Sequence, residues 1–374
     1  MARKTLCTLS TDNLLHNLAT IRAKTPRAKI MAMVKANAYG HGIRSVSQRL
    51  GNRVDALGVA SIDEAMVLRQ AGVKTPITLI EGVFAPEELE LASEQGFSVV
   101  FHSDHQILWL KQTKALLKLN AWLKINTGMG RLGFSLEAAG QVMQALSESP
   151  SIIQPVGIMS HFACADEPHH PMNAKQIATF RAFAEQYPGE KNFCNSAAIF
   201  AFPNMHYDWV RPGLALYGGS PLADKSAASL GLKPVMTFQT ELIAIQKFNR
   251  GDDIGYGAQF TCPEDMMVGI AAVGYGDGYP RLVQDNASVL VDGERCFLVG
   301  RIAMDMAAVD LRPCPNAAVG DKVTIWGEGL PIEELAAASD RVSYDLLTGI
   351  QNRVRFEWKE ESDDATTRLR IVAA

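Results

Sequence analysis

Two kinds of hydrophobic pattern alternate through the first two-thirds of the chain. Apolar, β-branched runs of strand length recur: "KIMAMVKAN", "DALGVAS", "PITLIEG", "FSVVFH", "AWLKIN", "PVGIMSHF", "NFCNSA" and "WVRPGLALYG". Between them lie segments whose apolar positions fall on one face of a helix. "TDNLLHNLATIRAKT" carries Leu14, Leu18 and Ile21 at that spacing. "SIDEAMVLRQAG" opens with Ser61 and Glu64 as a capping box and stops on Gly72. "SLEAAGQVMQAL" and "MNAKQIATFRAFAEQ" read the same way. About eight strand–helix units predict an N-terminal (β/α)8 TIM barrel over residues 8–230. A doubly wound open sheet is the alternative, but no G-x-G-x-x-G opens a helix after a strand.

Beyond Leu230 the texture changes. "VMTFQTELIAIQKF", "DMMVGIAAVGYGDGY", "ASVLVDGERCFLVGRIAMDMAAVDL" and "DKVTIWGEG" are strand-rich and are separated by turns such as "NRGDD" and "VDGE". Helical signal is thin until "PIEELAAAS". Residues 231–374 therefore read as a C-terminal, mostly-β domain, with residues 1–7 expected to pack with it.

In a barrel, chemistry gathers where strands end at their C-terminal side. The first strand ends at Lys35, in "IMAMVKANAYGHG". The fifth runs through Lys124 and Asn126 into "TGMGRLG" with Arg131, and the sixth ends in "SHF" with His161. The seventh ends at Asn195 and Ser196, and the eighth carries Arg211 before "PGLALYG". All are expected at one mouth. A lone lysine after a strand is usually solvated. Here "AMV" and "ANA" flank it without a charge partner, and a desolvated lysine is the type that forms Schiff bases. His161 alone could be a satisfied core histidine, and Arg211 alone could pair with a surface acid. "HFACADEPHH" tempts a metal reading that no cysteine or carboxylate spacing completes, so no metal is expected. Ser196 and the "RPGL" backbone lie where barrels often hold phosphate, with Gly213 allowing close approach. A Schiff-base lysine beside a phosphate cup suggests pyridoxal phosphate.

Composition excludes other classes. The 374 residues are 47% hydrophobic and 20% charged with a net charge of −4, an ordinary globular balance without the footprint of a nucleic-acid binder. No apolar window reaches the roughly 18 residues of a membrane span, and the N-terminus lacks the apolar core of a signal peptide. The six cysteines are scattered and form no CxxC. A cytoplasmic protein is expected.

In order along the chain stand "VKANAYGHG", "TGMGRLG", "SHFACAD", "NSAA", "RPGLALYG", "GYGAQF", "VGYGDGYPR" and "GRIAMDM". Together they closely resemble bacterial alanine racemase, a pyridoxal-phosphate family built as a barrel plus a β domain. The resemblance implies that Lys35 bonds the cofactor and that Tyr39, Ser196, Tyr344 and the backbone of Gly213 and Leu214 grip its phosphate. It implies that His161 and Asn195 line the cofactor, and that Arg211 faces the pyridine nitrogen. Lys35 and Tyr256, the tyrosine of "GYGA", would exchange the two Cα protons, Lys35 that of the D-substrate and Tyr256 that of the L-substrate. In the family this tyrosine reaches the other subunit's cofactor, so a homodimer with a shared site is implied. Arg131 would bond the cofactor's phenolic oxygen and help place the substrate carboxylate, which the Met304 backbone would also contact, with Tyr275 at the entrance. Lys124 matches a lysine carbamylated in some members, although Asn126 stands where aspartate is commoner. The implied reaction interconverts L- and D-alanine, supplying D-alanine for peptidoglycan. A decarboxylase of basic amino acids and a non-catalytic cofactor carrier are the alternatives. The first keeps an acid where this chain has Arg211; the second lacks the β domain.

Overall fold

The structure, a computed structural model, describes residues 3–284 and 286–359, and the backbone of residues 370–371. It divides into two compact units. One comprises Asn17–Leu216 and Ser220–Gly231; the other gathers the residues before Asn17, Tyr217–Gly219 and those from Leu232 onward.

Strand β1 (Leu6–Ser10) opens the chain and belongs to the second unit. The first unit carries β2 (Lys29–Met33), β3 (Ala56–Val59), β4 (Ile77–Leu79), β5 (Ser98–Phe101), β6 (Leu119–Lys124), β7 (Ile152–Met159), β8 (Lys191–Asn195) and β9 (Trp209–Arg211). Each pairs in parallel with the next. β9 returns to β2 through Lys29↔Trp209 and Ile30↔Val210, which closes the barrel. The eight apolar runs of the sequence supply these strands in order.

The interior is a packed core. Met31, Met33, Val100, Trp122, Met159 and Trp209 cluster there, with Tyr39 packed against them. The two indoles meet edge to face at 6.1 Å. Gly157 lies so close to the Trp122 ring that a Cβ at this position would collide with it. Each large apolar side chain buried this way stabilises the fold by roughly 1.5–3 kcal/mol.

The helix Ile62–Gln70 starts as predicted, with the Ser61 hydroxyl accepting the Glu64 N–H at 3.5 Å. The reciprocal half of the cap differs. Glu64 Oε2 accepts from the N–H of Ala60, and Oε1 reaches out of the helix to the N–H of Ala36 at 2.7 Å.

In the second unit follow β10 (Met236–Phe248), β11 (Asp253–Ile254), β12 (Phe260–Thr261), β13 (Met266–Ala271), β14 (Ser288–Val291), β15 (Glu294–Val299), β16 (Ala307–Asp310), β17 (Lys322–Trp326), β18 (Arg355–Lys359) and β19 (Arg370–Ile371). β11 and β12 form a small ribbon. The others join β1 in one sheet, ordered β13-β16-β15-β14-β17-β10-β1-β18-β19. β10 is long enough to pair with β1 and β17 early and with β13 late, across a register shift between Leu242 and Ala244. That second pairing bends six strands back into a ring, which removes two exposed edges. β1 lies inside the sheet, antiparallel to β10 and parallel to β18.

Candidate active site

Lys35 follows β2 by two residues, and the chain then does something the sequence did not announce. Ala36, Asn37, Ala38 and Tyr39 have φ between 51° and 55°, and Gly40 follows at 80°. They form one left-handed helical turn, closed by Ala38 N–H on Val34 O (2.8 Å) and Gly40 N–H on Ala36 O (3.0 Å). Four successive non-glycine residues in this region cost about 1–2 kcal/mol each. The surroundings hold them there. Glu64 takes the N–H of Ala36, Asn37 Oδ1 accepts from Ile43 at 2.8 Å, and His41 Nδ1 lies 2.8 Å from Tyr39 O. Burial lowers the pKa of His41 to about 4, so its imidazole is neutral. The turn reverses the chain just after Lys35 and brings Tyr39 back over the barrel.

Two residues past β4 stands Glu81, whose Oε1 is 3.3 Å from Lys35 Nζ. The loop behind it is tightly fixed. His102 Nε2, at the end of β5, donates to Glu81 O at 2.9 Å. The fully buried Gln106 donates to Val83 O at 3.1 Å and accepts from the His102 N–H at 2.9 Å. Gly82, at φ +71°, has no room for a Cβ against the Gln106 amide and Val100 O.

Lys124 ends β6 and is buried. Burial, then the charges of Arg211 and Arg131, lower its pKa to about 7, while Glu81 opposes the shift. A sizeable fraction is therefore neutral amine at neutral pH. The following loop is organised by Asn126, whose Oδ1 accepts the N–H groups of Gly128 (3.0 Å) and Gly130 (3.1 Å). Phe134 closes the loop by bonding back to Lys124 O (2.9 Å) and Asn126 N–H (2.8 Å). This holds the segment that bears the exposed Arg131.

Arg211 is buried at the end of β9. Its guanidinium donates to Ser160 O (2.7 Å), Asn192 O (3.0 Å), the Asn192 side-chain oxygen and His161 Nδ1 (3.1 Å). Burial draws its pKa down to about 10, which leaves it charged at neutral pH. Burial and then the charges of Arg211, Lys124 and Arg131 push His161 well below its ordinary value, so the imidazole is neutral and accepts through Nδ1. Gln176 fixes its backbone, donating to His161 O at 2.9 Å.

At the β8 end, Asn195 caps the helix Ser196–Ala201, its Oδ1 accepting from Ala198 N–H at 3.0 Å. The buried Ser196 hydroxyl accepts from the N–H groups of Gly213 (2.8 Å) and Ala215 (3.3 Å). Any Cβ on Gly213 would strike the Tyr39 phenol. Tyr39, Ser196 and Gly213 thus meet in one place, with Leu214 beginning the next turn.

The second unit carries the other named residues. Tyr256 is 71% exposed, between Gly255 and Gly257 at φ +77° and +76°. Tyr275 and Met304 are joined by backbone: Tyr275 N–H donates to Ala303 O (3.1 Å) and Gly276 N–H to Met304 O (2.8 Å). Beneath this turn the fully buried Asp277 accepts from Arg3 (2.6 and 2.7 Å), Arg353 (2.7 Å) and Gly274 N–H (2.9 Å). Burial pushes its carboxyl up, but these donors outweigh burial and hold it below the usual range. Tyr344 lies part-exposed in the helix Ser343–Thr348.

Residues 9–221 match the profile of the alanine racemase N-terminal domain and residues 235–358 that of the C-terminal domain. The chain belongs to the alanine racemase family. It is 43% identical over 354 residues to an alanine racemase of Coxiella burnetii, spanning 93% of this chain and 97% of the relative. It is 42% identical over 357 residues to one of Legionella pneumophila, spanning 96% and 100%. The biosynthetic alanine racemase structure of Pseudomonas aeruginosa superposes with a TM-score of 0.93 at 38% identity, covering 96% of this chain and 100% of that one. That of Acinetobacter baumannii gives 0.90 at the same identity and coverage.

For a racemase of this family the barrel mouth holds more than the sequence motifs named. Lys35, Lys124, Arg131, His161 and Arg211 come from four strand ends and a loop. Glu81 and His102 stand at two of the three strand ends that the reading of the sequence passed over. The same strand-end rule would have found both, since "LIEG" and "VVFH" each close an apolar run on a polar group. Among the described residues, no group of three or more His, Cys, Asp or Glu could hold a metal ion, and no helix is long and apolar enough to cross a membrane.

Proposed function

We propose that the protein interconverts L-alanine and D-alanine, with pyridoxal phosphate bonded to Lys35. The observation that carries this reading is the convergence of Lys35 with a set of cations and a neutral histidine at one barrel mouth, beside the Tyr39–Ser196–Gly213 cradle. The residues fit the cofactor. The Tyr39 phenol reaches the Gly213 backbone only because Gly213 has no Cβ, and the hydroxyls and backbone N–H groups gathered there suit a phosphate. Tyr39, Ser196, Gly213 and Leu214 of the barrel, with Tyr344, would hold that group; His161 and Asn195 would line the ring.

When bound, the cofactor supplies a ring that accepts the electron pair left when Cα loses its proton. The protein's residues do the rest. Lys35 holds or removes a proton on one face of Cα, that of the D-substrate. Tyr256 of the partner subunit serves the other face, so the working unit is a homodimer. The high exposure of Tyr256 in this chain supports that role. Arg211 would face the ring nitrogen and keep its own proton, as its charge at neutral pH permits. Held there, Arg211 would leave the ring nitrogen unprotonated and so favour return of the proton to Cα. Arg131 orients the substrate carboxylate, with Met304 and Tyr275 at the approach. The decarboxylase reading needs an acid opposite the ring nitrogen, and the partners of Arg211 are neutral. Cytoplasmic supply of D-alanine to peptidoglycan is the accompanying cellular role.

Borohydride reduction of the holoenzyme followed by peptide mapping is expected to place the pyridoxyl mass on Lys35; a label on another lysine overturns the assignment. Tyr256→Phe is expected to keep the cofactor and lose most racemisation measured by chiral analysis. We further assign Lys124 as an amine open to carbamylation, given its partly neutral state. With labelled bicarbonate, a carbamate carbon resonance is expected that Lys124→Ala abolishes; an unchanged spectrum rejects the assignment.

A further inference from the structure

Glu81 has no part in the reading above, yet it is the carboxylate within reach of Lys35. Its Oε1 lies 3.3 Å from Lys35 Nζ, and both side chains are 36% exposed. Three features fix the place from which it reaches. Gly82 turns the chain at φ +71°, where a side chain would collide with Gln106 and Val100 O. His102 bonds Glu81 O, and burial together with nearby Lys124 lowers the imidazole's pKa, which keeps it a neutral donor. Gln106, fully buried, ties Val83 to the end of β5. A surface acid rarely receives such a mounting. Positive charge gathers nearby: Arg211, Arg131 and Lys35 disfavour the charged form of Lys124, whereas Glu81 favours it.

We propose that Glu81 is a positioning residue for Lys35, holding its ammonium at the rim of the barrel whenever that lysine is not bonded to cofactor. The inference rests on the assignment of Lys35 as the cofactor lysine, because only there does a free Lys35 arise in alternation with a bonded one. In the cofactor-free protein Glu81 would restrain the amine and shield it from acylation. During turnover it would keep the released amine beside the substrate rather than in bulk solvent. A carboxylate held on the loop after β4 makes this resting place independent of the left-handed turn that follows Lys35.

The test uses the full-length protein stripped of cofactor, so that racemase activity is not the readout. Lys35 is acylated with a small neutral reagent at one pH, and its labelling rate is followed by peptide mass spectrometry. Lys29, paired with Glu190 at 2.6 Å at the opposite end of β2, serves as internal control. Glu81→Gln is expected to raise the Lys35 rate by about two- to five-fold, the range of a part-exposed ion pair, with Lys29 unchanged. The excess is expected to shrink towards one-fold in about 1 M salt, where such pairs are screened. Glu81→Asp, which keeps the charge but withdraws it by one methylene, is expected to fall between wild type and Gln. Equal Lys35 rates in wild type and Glu81→Gln overturn the proposal, as does a difference that high salt leaves intact. Failure to find the pyridoxyl group on Lys35 would instead refute the functional assignment, so the two results are separable.

Discussion

Asn126 illustrates how one residue can carry a departure from a family's pattern without breaking the site. Its Oδ1 accepts two backbone N–H groups of the loop that bears Arg131. Aspartate could accept the same two bonds, so asparagine keeps the geometry and drops a charge. Asn126→Ala is expected to leave both N–H groups without that acceptor and to lower kcat/KM on the order of ten-fold through misplacement of Arg131. Asn126→Asp is expected to stay near wild type. Steady-state kinetics on both variants would decide, and a wild-type Asn126→Ala would reject the role. At this scale the sequence was informative where a polar residue ended an apolar run, as at Lys35, Lys124, His161 and Arg211. It was silent where the contribution runs through backbone. Nothing in "EAMVLRQ" says that Glu64 leaves its own helix to hold Ala36, because the partner is distant in sequence and the bond is local only in space.

Among the elements, the left-handed turn after Lys35 was the least legible. Glycines at Gly40 and Gly42 announced a turn, but Ala36 to Tyr39 have ordinary side chains, and their conformation is imposed by Glu64, Asn37 and His41 around them. Ala36 is exposed, so its tolerance to change depends on backbone rather than packing. Ala36→Val is expected to destabilise the protein by roughly 1–2 kcal/mol, and Ala36→Gly to be neutral or slightly stabilising. Thermal unfolding of the two variants would test this; the reverse order would contradict the strained turn. The turn at Tyr275 offers a second element-level prediction. The pKa of Asp277 is depressed in the folded state, so its contribution is complete above the unfolded value of about 4 and is lost as pH falls through the folded value. Wild type should therefore lose stability on acidification below about pH 4, and Asp277→Asn should lose less over the same range. At neutral pH that variant is expected to be less stable by about 3 kcal/mol. This is the low end for a broken buried pair, because Arg3 and Arg353 are 35% and 40% exposed. Unfolding midpoints across pH would check both.

The order of elements over the whole molecule was readable because period-2 and helical patterns alternate cleanly and the barrel has one closure. The β unit was readable only as a class. Its strands are short, and the ring made by β10 and β13 depends on a register shift inside one long strand, which no periodicity marks. Residues 1–7 are expected with the β domain, but a five-residue apolar run does not name strand partners more than two hundred residues away. Deleting residues 3–10 is expected to abolish cooperative folding of the second unit, because it removes a strand with a neighbour on each side. Two-dimensional NMR of the truncated protein should lose the dispersed signals of β10 and β18; their retention would refute this. The position of β1 also sets a timetable. On the ribosome, β1 emerges before the barrel strands, while its partners β10 and β18 emerge only after them. The barrel strands β2 to β9 are all made while β1 still waits for its partners, so a strand made before the barrel is paired only after it.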